Sequence, residues 1–166
     1  GNVAKYYDSA ALSTTQAGAT GVITWELICR ADSFTALGYL LDQRVANTQI
    51  IMYVDTGGEI GVNIMGASGV VASFYDATSD MSVDTDSHVV VTYDRDAQEL
   101  EVWVNGVYIG GKAGGFSGVT SSTTNDCIIG AGNGSGGQGW NGAICSLAIY
   151  PTVLTDTQIA DHYAAL

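Results

Sequence analysis

Carboxylates are the most abundant reactive groups in this chain. Seventeen Asp and Glu stand against five Lys and Arg, a formal net charge of −12. Hard cations such as calcium want several carboxylate and carbonyl oxygens, and an acidic surface can supply them. The candidates are Asp94 and Asp96 beside a predicted turn, and Asp84 and Asp86, which alternate with His88 and share a side if the strand extends that far. Asp80, Asn125 and Asp126 could contribute. None of them forms the D-x-[DN]-x-[DN]-G loop of an EF-hand, and for any one of them turn formation is the simpler account. Glu99 and Glu101, two apart on one face, have a spacing compatible with a carboxylate pair that cleaves glycosidic bonds. The E-x-D-x-E pattern of such enzymes is absent, however, and a solvated hairpin edge explains the pair. No Ser-His-Asp order or Cys-His pairing stands out, and His88 and His162 are isolated in sequence. The sequence therefore predicts no catalytic set and no enzyme.

Binding chemistry needs aromatic platforms beside hydrogen-bonding groups. Trp103 shares a face with Glu101 and Asn105 by alternation, while Leu100, Val102 and Val104 supply the opposite, core-facing side. Trp103 has two readings: an outward platform for a sugar ring or a partner's pocket, or a residue covered by a loop or the terminal helix. The loop NGSGGQG, residues 133–139, adds Asn133 and Gln138 as candidate ligand groups; it can close over a ligand or serve as a passive linker. Asn133-Gly134-Ser135 is also a formal glycosylation sequon, meaningful only in a eukaryotic secretory route.

The elements that must position these residues are strands. Period-two alternation recurs between clusters of Gly, Asn, Asp and Thr. Residues 22–29 put Ile23, Trp25, Leu27 and Cys29 on one face, and residues 59–65 do the same with Ile60, Val62 and Ile64. Residues 88–112 read as three antiparallel strands, separated by the acidic turn DRDAQ and then by Asn105-Gly106, a strong hairpin signal. Residues 114–126 and 130–142 read as loops around a short strand, CIIG, and AICSLAIY is the last strand. One helix follows Pro151. Thr155 and Gln158 make a capping box, Asp156 suits the first turn, and Ile159, Tyr163 and Leu166 recur at helical spacing. With the N-terminal run VAKYYD, the count is roughly eleven strands and one terminal helix, the range of a two-sheet sandwich.

The 166 residues suit one domain, and 46% hydrophobic against 13% charged residues suits a chain with a buried core. The negative charge repels phosphate backbones and anionic headgroups, which excludes nucleic acid as the expected partner. No apolar run is long enough to span a bilayer and no signal segment opens the chain, so the protein is expected to be soluble or already processed. Cys29, Cys127 and Cys145 are read as three buried thiols, with a Cys29–Cys145 bridge as the alternative because both fall in strands that could be neighbours.

Two stretches resemble the laminin G-like branch of the concanavalin A-like jelly rolls. The first is His88-Val-Val-Val-Thr-Tyr-Asp94 followed by Leu100-Glu-Val-Trp-Val-Asn-Gly106; the second is Trp140-Asn-Gly-Ala-Ile144, Ile149-Tyr150 and Leu154-Thr-Asp-Thr-Gln-Ile159. Residues 20–66 fit the early strands of that fold less specifically, and residues 1–19 are left as an unplaced arm or first strand before a domain at 20–166. Asp86-Ser87 stands where the family commonly has Trp-His, and Cys145 where it often has Asp, departures that bear on any inherited calcium site. The resemblance implies an all-β, two-sheet antiparallel jelly-roll sandwich with a short C-terminal helix. It also implies a non-catalytic recognition or adhesion module that binds carbohydrate or another surface, within an extracellular or virion assembly. The alternatives are a decoration or accessory protein of a virus particle, binding its own copies or shell proteins, and a glycoside hydrolase.

Overall fold

The computed structural model describes residues 21–42, 49–66, 69–114, 128–132 and 138–166. Two five-stranded sheets account for most of them. Sheet 1 has the order β10-β1-β6-β7-β8 and sheet 2 the order β5-β4-β3-β2-β9. In sheet 1, β1 is Val22–Ala31, β6 Asp86–Asp94, β7 Glu99–Val104, β8 Val107–Ala113 and β10 Gly142–Tyr150. In sheet 2, β2 is Gly38–Asp42, β3 Gln49–Val54, β4 Ile60–Gly66, β5 Gly69–Tyr75 and β9 Ile128–Ile129. Each neighbouring pair in both sheets is antiparallel. A helix, α1 (Asp156–Ala164), follows β10.

The alternation decides which side of each strand is buried. Ile23, Trp25, Leu27 and Cys29 of β1, Val89, Val91 and Tyr93 of β6, and Val102 and Val104 of β7 meet Ile50, Met52 and Val54 of β3 and Ile60, Val62 and Ile64 of β4 in one apolar layer. Each such aliphatic side chain withdrawn from water contributes about 1.5–3 kcal/mol. Sheet 1 has a second covered face, where Val90 and Trp103 pack with Leu154, Ile159 and Tyr150 beneath α1. Residues Ser87 to Tyr93 are consequently buried without interruption. That explains why VVVTY lacks the alternation of a one-sided strand.

Local chemistry fixes the turns. Asn105 and Gly106 take φ of +53° and +74°, the left-handed pair of a two-residue hairpin that matches strand twist. In the β6–β7 turn, Asp94 Oδ1 accepts hydrogen bonds from the amides of Asp96 (2.9 Å) and Ala97 (2.8 Å). The helix begins with the expected reciprocal cap between Thr155 and Gln158.

The cysteine expectation is corrected. Cys29 is buried and Cys145 exposed, and both are free thiols. Although β1 and β10 do pair, the register shifts at Ile28/Cys29, so that Ile28 faces Ser146 and Cys29 faces Ile144. Cys145 is thus the extra residue of a bulge. Cys127, the run VAKYYD and most of the loop 114–126 lie outside the described residues.

Candidate functional site

The outward-platform reading of Trp103 does not hold. The side chain points away from the sandwich interior, as alternation requires, but it is only 3% exposed because α1 covers it. Tyr108 closes its edge in a T-shaped contact, with ring centroids 5.4 Å apart. Asn105 is also structural. Its Oδ1 accepts the His88 amide at 2.9 Å while its own amide donates to the His88 carbonyl at 2.8 Å, which prolongs the β6–β7 ladder past the turn. Glu101 is half-buried beside Thr92. Burial, then the charges of Glu99 and Asp156, raise its carboxyl pKa against the Thr92 hydrogen bond. Glu101 and Glu99 therefore flank the first turn of the helix.

What holds the helix down was not visible in sequence. Glu26 of β1 points out of sheet 1 and collects both histidines. His88 Nε2 lies 2.6 Å from Glu26 Oε1, and His162 Nδ1 lies 3.1 Å from Oε1 and 3.2 Å from Oε2. The Tyr150 hydroxyl donates to Oε2 at 2.6 Å. Burial pushes the Glu26 pKa up, but hydrogen bonds from Tyr150, His88 and His162 and the His162 charge outweigh it, and the net shift is downward. The same contact, followed by burial and the Glu26 charge, pushes the Tyr150 hydroxyl up to about 12. His88 is 2% exposed and stacks 6.0 Å from Tyr163, and Tyr163 rests on Gly106, where a Cβ would come within 3.0 Å of its ring. The carboxylate accepts from β6, β10 and α1 together, so it ties the helix to the sheet across Trp103.

The four candidate calcium ligands do not converge. β6 begins at Asp86, so the strand does not extend back to Asp84, which lies in the turn before it; Asp94 ends the strand, with Asp96 in the turn beyond. The nine-residue strand puts roughly 26 Å between the two pairs. Asp94 is committed to its turn, Asp96 pairs with Arg95 at 3.2 Å, and Asp84 has a φ of +57°. Among the described residues no group of three or more His, Cys, Asp or Glu could hold a metal ion.

Sheet 2 carries a different feature on the face turned away from the core. Register places Tyr39 of β2 opposite Tyr53 of β3, Tyr53 opposite Gly61 of β4, and Gly61 opposite Tyr75 of β5. The result is a row of aromatic rings across four strands, about 14 Å from end to end at the usual strand spacing. Gly61 is the gap that lets the row lie flat. A Cβ at that position would overlap Cζ and Oη of Tyr53, so this ring extends across β4. Tyr39 and Tyr53 are tilted at 58° with centroids 6.3 Å apart; Tyr75 is 47% exposed and Tyr53 partly exposed, while Tyr39 is buried at 8% exposure and backs the row at its β2 end.

Polar groups frame the row. Asp55 and Glu59 close the β3–β4 hairpin beside it. The Tyr75 hydroxyl donates to Asp55 Oδ2 at 3.3 Å, while Asp55 Oδ1 accepts from Thr56 N at 2.7 Å and Glu59 Oε2 from Gly57 N at 2.8 Å. Two residues along the strands, Ser73 Oγ donates to Asn63 Oδ1 at 2.7 Å. Burial first, then the Asp55 charge and Tyr39, raise the Tyr53 hydroxyl pKa. Of the candidate ligand residues read from sequence, Gln138 comes to this row. It is exposed, with φ +63°, and its carbonyl accepts the Tyr39 amide at 3.2 Å. Asn133 lies outside the described residues.

Comparison with known proteins places this architecture. A family model described as the concanavalin A-like lectin/glucanases superfamily matches residues 4–160. No curated protein matches the chain by sequence. Among solved structures, the chain is similar to the Ruminococcus gnavus IT-sialidase CBM40 bound to α2,3-sialyllactose, at 14% identity and a TM-score of 0.77, covering 96% of this chain and 92% of that one. It is also similar to a putative carbohydrate binding protein from Bacteroides ovatus, at 17% identity and 0.67, covering 85% and 40%. A third similarity is to the NanB sialidase of Streptococcus pneumoniae, at 18% and 0.70, covering 94% of this chain but 26% of that one. Identities this low carry the fold alone.

Proposed function

Because the chain belongs to the concanavalin A-like lectin/glucanases superfamily, we propose that it is a non-catalytic carbohydrate-binding module acting outside the cell, with Tyr53 and Tyr75 of the sheet 2 row as its sugar platform and the buried Tyr39 as the ring that Tyr53 packs against. The row itself is the observation that carries this reading. Aromatic rings laid across a sheet offer flat apolar faces to the C–H faces of sugar rings, and the adjoining carboxylates and amide supply directional hydrogen bonds to hydroxyls. The accessible part of the row, from Tyr53 on β3 to Tyr75 on β5, spans about 10 Å at the usual strand spacing. Likeness to a CBM40 module bound to α2,3-sialyllactose supports carbohydrate as the class of ligand.

The non-catalytic part rests on the position of Glu99 and Glu101, the pair with hydrolytic spacing. They lie on the outer face of sheet 1 beside Asp156, with Glu101 half-buried and Glu99 directly next to it. The pair thus lies on sheet 1 against the acidic first turn of α1, on the other sheet from the tyrosine row, and takes no part in a site built on that row.

A glycan array tests the proposal. The wild-type chain should bind at least one oligosaccharide class, and Tyr53→Ala and Tyr75→Ala should each weaken that binding while circular dichroism stays unchanged. Binding that survives both substitutions at full strength would remove the platform from the account.

A further inference from the structure

The groups around the row bear on the charge of the ligand it takes. Asp55 and Glu59 sit at the hairpin end of the row, within reach of Tyr75 and Tyr53. A carboxylate has about four acceptor positions. Asp55 uses one on the Thr56 amide and one on the Tyr75 hydroxyl, and Glu59 uses one on the Gly57 amide. The acceptor positions left over suit hydroxyl donors. On the far side, Asn63 spends its oxygen on Ser73, which leaves its amide N–H groups to donate to a hydroxyl or ring oxygen. The whole chain adds a field of the same sign as these carboxylates, at a net −12.

Resting on the row as the glycan platform, we infer that it selects an uncharged, hydroxyl-rich oligosaccharide and discriminates against sialylated or otherwise anionic glycans. A sugar hydroxyl placed against Asp55 or Glu59 donates a charge-assisted hydrogen bond. A sugar carboxylate in the same place has no proton to donate, and it meets two like charges within a few ångströms, close enough that physiological salt screens them only in part. The polar frame thus points to a ligand unlike that of the CBM40 module with which the chain shares its fold, whose structure has α2,3-sialyllactose bound.

The test uses matched pairs of oligosaccharides, each neutral glycan beside the same glycan capped with sialic acid, arrayed and then titrated calorimetrically at low and physiological salt. The wild-type protein should bind the neutral member and bind the capped member at least about 10-fold more weakly, with the gap widening at low salt. Asp55→Asn/Glu59→Gln should narrow that gap several-fold by admitting the capped form, and the single Glu59→Gln variant serves if the double one does not fold. A wild-type protein that binds the capped member as well or better, with binding lost in Tyr53→Ala, overturns the inference and leaves the platform standing. A gap unchanged by the charge-removing variants also overturns it. Binding to no member of any pair, or binding untouched by Tyr53→Ala and Tyr75→Ala, overturns the platform itself.

Discussion

Gly61 offers the sharpest perturbation of the platform, because it alters the row without removing any aromatic ring. A Cβ there would overlap the far end of the Tyr53 side chain, at Cζ and Oη, and would leave β4's own backbone undisturbed. The Tyr53 ring can swing away about its side-chain torsions, so Gly61→Ala costs little in folding. Gly61 has no left-handed φ, and replacing an extended glycine by alanine recovers about 0.5–1 kcal/mol of chain entropy, which offsets the displaced packing. The net change in unfolding free energy is expected to stay within about 1 kcal/mol of zero. The displaced ring no longer lies between Tyr39 and Tyr75, and the loss of one stacking contact of about 0.5–1.5 kcal/mol weakens glycan binding roughly 2- to 12-fold. Calorimetric titration of the best array ligand, with thermal melts of both proteins, reads the two quantities separately. Unchanged affinity in Gly61→Ala, or a loss of affinity fully explained by unfolding, would refute the reasoning.

Other consequences follow from the ties around the helix and from the remaining titratable groups. Glu26→Ala strips the acceptor from His88, His162 and Tyr150; leaving buried donors unmet costs about 1–3 kcal/mol in urea unfolding, and Trp103 fluorescence should shift to the red as α1 loosens. Glu26 has a lowered folded pKa, so the unfolded chain binds more protons over that window and stability falls with acidity. The contribution is complete above the unfolded value near 4.3 and disappears as pH drops through the folded value, so melts between pH 5 and 3 should fall more steeply for the wild type than for Glu26→Gln. Asp80 has the opposite sign. Burial, followed by its contact with Asp76 and that residue's charge, raises its pKa to about 6, so its ionisation lowers stability as pH rises from 3.8 to about 6. Asp80→Asn should raise the melting temperature at pH 7 and not at pH 3.5. Burial, then the nearby Cys145 and Asp86, push the Cys29 thiol up to about 12, so a maleimide should label Cys145 in the native protein and Cys29 only after denaturation.

The strands were legible in sequence because burial on one face imposes period two. The segments containing Ile23–Cys29 and Ile60–Ile64 put the expected residues in the core. The Asn105-Gly106 turn and the Thr155 cap were legible because each is set by a few adjacent residues. What covers a strand's second face is a tertiary matter. Alternation correctly turned Trp103 away from Val102 and Val104, yet only the docking of Leu154 and Ile159 shows that it is buried. The convergence of His88, His162 and Glu26 depends on residues 62 and 136 positions apart, and no local pattern announces it. The tyrosine row was hidden for the same reason. Parity puts Tyr53 opposite in sense to Met52 and Val54, but the alignment of Tyr39, Tyr53, Gly61 and Tyr75 is a register between four strands, with a bulge between Tyr39 and Leu41.

Backbone amide shifts followed by NMR during titration with the best array glycan test the central claim most directly. Perturbations should concentrate on β2 to β5 around Tyr39, Tyr53, Gly61, Asn63 and Tyr75, while Trp103, Glu26 and α1 stay still. Perturbations confined to sheet 1 and the helix, with the tyrosine row unmoved at saturation, would contradict it.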